Sequence, residues 1–193
     1  MLNVLVLGHS YVANLRRLCK DEGKPHQWEN PSNARGKVRV HMHGYPGGTV
    51  KMLTVEVEAG LFQVFVHYKT CVVICQIGGN DWKYFDKIAF ETDLNIFIDV
   101  CLTRGVSVVF MSVLQRSKPR YCSSDEYSNQ REIVNGIMKQ KAVEHSSVYF
   151  FKPVKVYRAE YKASDGVHCT EQDYPMLVAL RKALSWFINT VNK

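Results

Sequence analysis

Three stretches of the chain, Leu2 to Leu7, Cys71 to Ile77 and Val106 to Leu114, are nearly continuous in apolar residues, and the first two run straight into glycine. A strand with one wet face alternates apolar and polar residues, whereas an unbroken apolar run fits a strand buried on both faces of a parallel sheet. Parallel neighbours need long crossovers, which helices supply. The intervening sequence has that character. Val12, Leu15, Leu18 and Cys19 fall at helical spacing, with Arg16, Arg17 and Lys20 on the other side. Thr49 can cap a helix running to about Ala59, and Asp86 to Thr103 reads as another, closed by Gly105. Ser123 or Ser124 opens a helix to about Glu144, and Thr170 to Thr190 sets Leu177, Leu180, Leu184 and Ile188 along one face. Lys37 to His43 alternates basic and apolar residues as a second strand, and Ser147 to Phe151 is a fifth. This alternation predicts an α/β protein, a three-layer α/β/α sandwich around a five-stranded parallel sheet.

The 193 residues, 46% of them hydrophobic, suit one domain, 1–193, with a sizeable core. Leu2 to Leu7 is far shorter than the ~20 residues of a membrane span and lacks the flanks of a secretory signal. Six cysteines, Cys19, Cys71, Cys75, Cys101, Cys122 and Cys169, show no CxxC spacing and sit mostly in apolar context, as buried free thiols do in a reducing compartment. The expectation is an intracellular, cytoplasmic protein with no membrane span. The absence of GxxxxGK[ST] argues against a nucleotide-cradling P-loop. His41 and His43 share a strand face but have no third metal ligand nearby in sequence.

In open parallel sheets, ligands bind at the carboxyl ends of the strands. Gly8-His9-Ser10, Gly47-Gly48-Thr49 and Gly78-Gly79-Asn80-Asp81 all follow strands, so this edge gathers them. Ser10 stands where the first strand turns into a helix, exposing a hydroxyl beside free backbone N–H groups; taken alone it fits a helix N-cap better than a nucleophile. Asn80 follows two glycines that let a substrate approach the backbone, and its amide can donate to an oxyanion or simply close an Asx-turn. Gly47 can present its N–H or merely shape a turn. Asp165 and His168, two residues apart before the last helix, can supply a base and the carboxylate that orients it. A serine, a base, an orienting acid and aimed N–H donors are what acyl transfer needs.

Together, Gly8-His9-Ser10, Gly47, Gly78-Gly79-Asn80-Asp81 and Asp165-Gly166-Val167-His168 resemble the four blocks of the SGNH (GDSL-type) hydrolase superfamily, and they span nearly the whole chain. The resemblance implies Ser10 as nucleophile, with His168 and Asp165 completing a triad. It also implies an oxyanion hole from the backbone N–H groups of Ser10 and Gly47 and the Asn80 side chain. A flavodoxin-like sandwich, no metal or other cofactor, and a small ester substrate follow from the same likeness. Two positions depart from the family pattern. His9 stands where aspartate is common, and Cys169 replaces a frequent proline after the histidine.

The formal net charge is +7. Two expected edge loops, 115–122 and 152–162, hold Arg116, Lys118, Arg120, Lys152, Lys155, Arg158 and Lys162 against one acid, Glu160. The excess charge therefore concentrates near the expected mouth, as a rim for an anionic substrate. It leaves open a second reading, a domain that keeps the fold without turnover and uses this rim to hold nucleic acid or another anionic ligand. SGNH-like domains also occur in proteins encoded by some retroelements, a fold-level analogy only.

Overall fold

The computed structural model describes residues 2–21, 38–60, 70–116, 118–119, 121–153 and 175–191. Strands β1 (Leu2–Gly8), β2 (Val38–Gly44), β3 (Thr70–Gln76), β4 (Ser107–Met111) and β5 (Val148–Phe151) alternate with helices α1 (Ser10–Asp21), α2 (Val50–Glu58), α3 (Lys87–Thr103), α4 (Ser124–Glu144) and α5 (Pro175–Val191). The strands form one sheet in the order β2-β1-β3-β4-β5, and every adjacent pair is parallel. The α/β sandwich expected from the sequence is therefore the fold.

Alternation of side chains along each strand divides the core into two. Leu5 and Leu7 of β1, Val73 and Cys75 of β3, and Val108 and Phe110 of β4 pack under α2, α3 and α4. Val4, Val6, Val72, Ile74, Val109 and Met111 pack on the opposite face under α1 and α5, where Val12, Leu15, Leu180, Leu184 and Phe187 close the layer. The expected apolar face of the last helix is the one that docks. Cys75 and Cys101 are buried free thiols, and burial raises the pKa of both; Cys122 is free and half-buried. Among the described residues, no helix is long and apolar enough to cross a membrane.

Local chemistry sets the helix boundaries. Thr49 caps α2 by accepting from Met52 N–H at 3.3 Å. Asp86 caps α3 by accepting from the N–H groups of Ile88 and Ala89, at 2.8 and 3.0 Å. At α4 a full capping box forms, the Ser123 hydroxyl accepting from Glu126 N–H and the Glu126 carboxylate accepting from Ser123 N–H. One strand is shorter than its apolar run. β4 ends at Met111, because Val113 N–H turns to the Asn135 carboxamide of α4 at 2.8 Å while Val113 and Leu114 stay buried. The start of the last helix expected at Thr170 lies outside the described residues.

Candidate active site

The chain leaves β1 for β2 on one side and later returns to place β3 on the other, so β1 and β3 flank the point where strand order reverses. A crevice forms at such a point, at the carboxyl ends of the strands. Ser10, the first residue of α1, follows β1; Gly47 follows β2; Asn80 follows β3; Arg116 follows β4. All four line one cleft of about 650 Å³. Sequence blocks far apart in the chain thus meet at one edge, as expected.

Ser10 is half-buried at the head of α1, whose first turn is held by Val12 and Ala13 N–H groups donating to the His9 carbonyl at 3.0 and 3.1 Å. His9, where the family pattern has aspartate, is fully buried and outside the cleft lining, its ring 5.1 Å from that of Tyr11. Gly47 sits at φ +76°, a left-handed conformation natural to glycine, and is exposed to the cleft. The turn around it is closed by Gly48 N–H donating to the Tyr45 carbonyl at 2.9 Å.

Asn80 is gripped from both ends of its carboxamide. Its Nδ2 donates to the Gly48 carbonyl at 3.1 Å, and its Oδ1 accepts from Arg116 Nη2 at 2.9 Å. A guanidinium can only donate and a carbonyl can only accept, so both contacts demand the same amide orientation. The second Nδ2 proton has no partner among the described residues. Next in sequence, Asp81 accepts from Val50 N–H at the head of α2, with Oδ1 at 3.0 Å. Burial raises the Asp81 pKa to about 6; the Val50 N–H bond opposes this and Asp93 adds to it. Two hydrogen bonds therefore tie the loop after β3 to the loop after β2. Trp82 Nε1 donates to the Gly79 carbonyl, which braces the same loop from within.

Trp82, Tyr84, Phe85, Phe90 and Tyr121 bring aromatic rings to the cleft lining, and Lys51 and Lys83 bring positive charge to it. Of the seven bases expected at the rim, Arg116 is inside, only 7% exposed. Lys118 and Lys152 are exposed and are not among the residues that line the cleft, while Arg120, Lys155, Arg158 and Lys162 lie outside the described residues. Asp165 and His168 also lie outside them. Lys51, Lys83 and the role of Asp81 were missed from sequence. The signal available was position alone, since Asp81 closes one glycine block and Lys51 and Lys83 each stand two residues beyond a block that the reading had placed at the edge. Chemically, the cleft combines a hydroxyl, the N-terminus of a helix, an exposed glycine N–H and an oriented amide donor, the parts that meet a developing negative oxygen.

No family model and no curated protein matches the chain. Solved structures do. It is similar to a GDSL-like lipase from Bacteroides thetaiotaomicron (TM-score 0.69, 16% identity, covering 95% of this chain and 87% of the other). It is also similar to the psychrotrophic esterase EstA of a Pseudoalteromonas species, seen inhibited by monoethylphosphonate (0.67, 14%, 98% and 100%). An acetyl esterase with an acetate ion is a third (0.65, 15%, 99% and 100%). The chain has the fold of the SGNH (GDSL-type) hydrolases, the fold implied by its four sequence blocks.

Proposed function

We propose that this chain is a serine hydrolase of carboxylic esters, working as a single domain on a small acyl group such as acetyl. The observation that carries the reading is the Asn80 carboxamide, held in one orientation in the same cleft as Ser10 and Gly47, with one N–H left for a ligand. The fold shared with esterases and a lipase supports it. Ser10 Oγ attacks the ester carbonyl as His168 takes its proton, and Asp165 holds the imidazole in the required tautomer. The oxyanion is met by the backbone N–H groups of Ser10 and Gly47 and by Asn80 Nδ2. The alcohol leaves with the proton from His168. Water, deprotonated by His168, then releases the acyl group and restores Ser10.

Covalent capture by a fluorophosphonate tests this without knowledge of the natural ester. Intact mass should show one adduct on the wild type and none on Ser10→Ala or His168→Ala. Failure of the folded wild type to form an adduct would sink the esterase reading and leave a scaffold without turnover.

A further inference from the structure

Arg116 is a buried guanidinium with an unusual set of partners. One face lies over the Tyr127 ring, 5.5 Å from the centroid, and Nη2 donates to Asn80 Oδ1. Its Nε is buried without a hydrogen-bond partner, and no carboxylate pairs with it among the described residues. Among the described residues its contacts are to a ring and an amide oxygen rather than to an acid. Its surroundings explain its aim. Tyr127, which donates to the Leu114 carbonyl at 2.7 Å and packs edge-on against Trp82 at 4.7 Å, forms a rigid platform behind it. Gly79 leaves the space in front: a Cβ there would stand 3.3 Å from Nη2 and 2.7 Å from His9 Nε2. The guanidinium is thereby wedged against the carbonyl end of one amide.

We infer that Arg116 is the positioning residue of the oxyanion hole: by donating to Asn80 Oδ1, it fixes the amide so that Nδ2 faces the cleft, and polarises that N–H toward a developing oxyanion. The inference rests on the esterase reading. An amide turned by 180° would present Oδ1 to the oxyanion, replacing an attractive contact with a repulsive one, and the Gly48 carbonyl on Nδ2 is the single other contact opposing that turn among the described residues. The Arg116 bond adds a second, charged constraint at the other end of the amide. The chain of donors, from Nη2–H to Oδ1 and from Nδ2–H to the oxyanion, also strengthens itself, because each bond polarises the next. The cation does this from behind the amide, where it lends positive potential to the reacting oxygen without blocking the cleft.

The test combines kinetics on a p-nitrophenyl ester with nitrogen-15 spectra of the Asn80 side-chain amide, for wild type, Arg116→Ala, Arg116→Lys, Asn80→Ala and the Arg116→Ala/Asn80→Ala pair. Arg116→Ala should lower kcat at least about tenfold with KM within about twofold, since loss of a whole oxyanion donor costs about 10²–10³. The Asn80 amide protons should shift or broaden. Arg116→Lys, which keeps a donor, should recover part of both. The double variant should be no slower than Asn80→Ala alone. Full multiplication of the two losses, a change confined to KM, or an unaltered Asn80 amide signal would each overturn the inference. The amide spectrum is read on the folded protein whether or not it turns over. A wild type that fails fluorophosphonate capture while showing the Arg116-dependent amide shift would therefore refute the esterase reading and leave the positioning geometry standing.

Discussion

Exchanging Asp81 for asparagine isolates the energetic consequence of the carboxylate that ties the two site loops together. Oδ1 keeps the Val50 N–H, while Oδ2 is buried with no partner among the described residues. Burial raises the pKa from 3.8 to about 6, against the Val50 bond and with help from Asp93. The folded chain thus holds this proton more tightly than the unfolded chain does. Stability is fully present below the unfolded value, falls as pH rises between the two values, and levels off above the folded one. The whole effect is about 3 kcal/mol, of which about 2 kcal/mol falls between about pH 4.5 and pH 7.5. Asp81→Asn retains an acceptor for Val50 and has no charge to bury. Urea unfolding of both proteins across that interval should show the variant gaining on the wild type by about 2 kcal/mol as pH rises. Carboxylates common to both chains, such as Glu126 and Glu144, whose hydrogen bonds lower their pKa, cancel in the difference. A difference that stays flat with pH, or moves in favour of the wild type toward neutrality, would refute the reasoning.

Two further expectations bear on the site. Asn80→Ala should cut kcat by about 10²–10³ with little change in KM, as steady-state kinetics on an activated ester would record. A rise in KM with kcat unchanged would move Asn80 from transition-state to ground-state binding. Gly79→Ala would set a methyl group 2.7 Å from His9 Nε2 and 3.3 Å from Arg116 Nη2, both on buried side chains. It should cost about 1–3 kcal/mol in urea unfolding and slow ester hydrolysis as the guanidinium is pushed off Asn80. An unchanged midpoint with an unchanged rate would refute the tight packing behind that loop.

Sequence made the sheet legible because burial on both faces leaves an unmistakable apolar run, as in Val4 to Leu7 and Val72 to Cys75. The caps at Thr49 and Ser123 were legible for a similar reason, since a hydroxyl at the head of a helix has a local task. The end of β4 was not, because Val113 and Leu114 remain apolar and buried after the backbone has left the sheet for Asn135. The glycine blocks announced the edge on which Ser10, Gly47 and Asn80 converge. They did not announce Arg116. In sequence it is one base among several in a polar loop; only the closeness of Asn80 and Tyr127, set by long-range packing, turns it inward. Asp81 was opaque likewise, since its partner Val50 is the first residue of α2, 31 positions earlier in the chain.

Helices α1 and α5 share one face of the sheet, with Val12 and Leu15 of the former and Leu180, Ala183 and Phe187 of the latter in a single cluster over Val4, Val6 and Ile74. That shared layer has a consequence for biosynthesis. On the proposed assignment, the nucleophile stands in the opening turn of α1 and the base in the segment just ahead of α5, so one is made early and the other late. A growing chain emerges at roughly 5–20 residues per second. Under that assignment the general base, His168, is made more than 150 residues after Ser10. If the assignment holds, hydrolysis would wait for the last part of the chain to be made, so half-made copies would not attack esters around them.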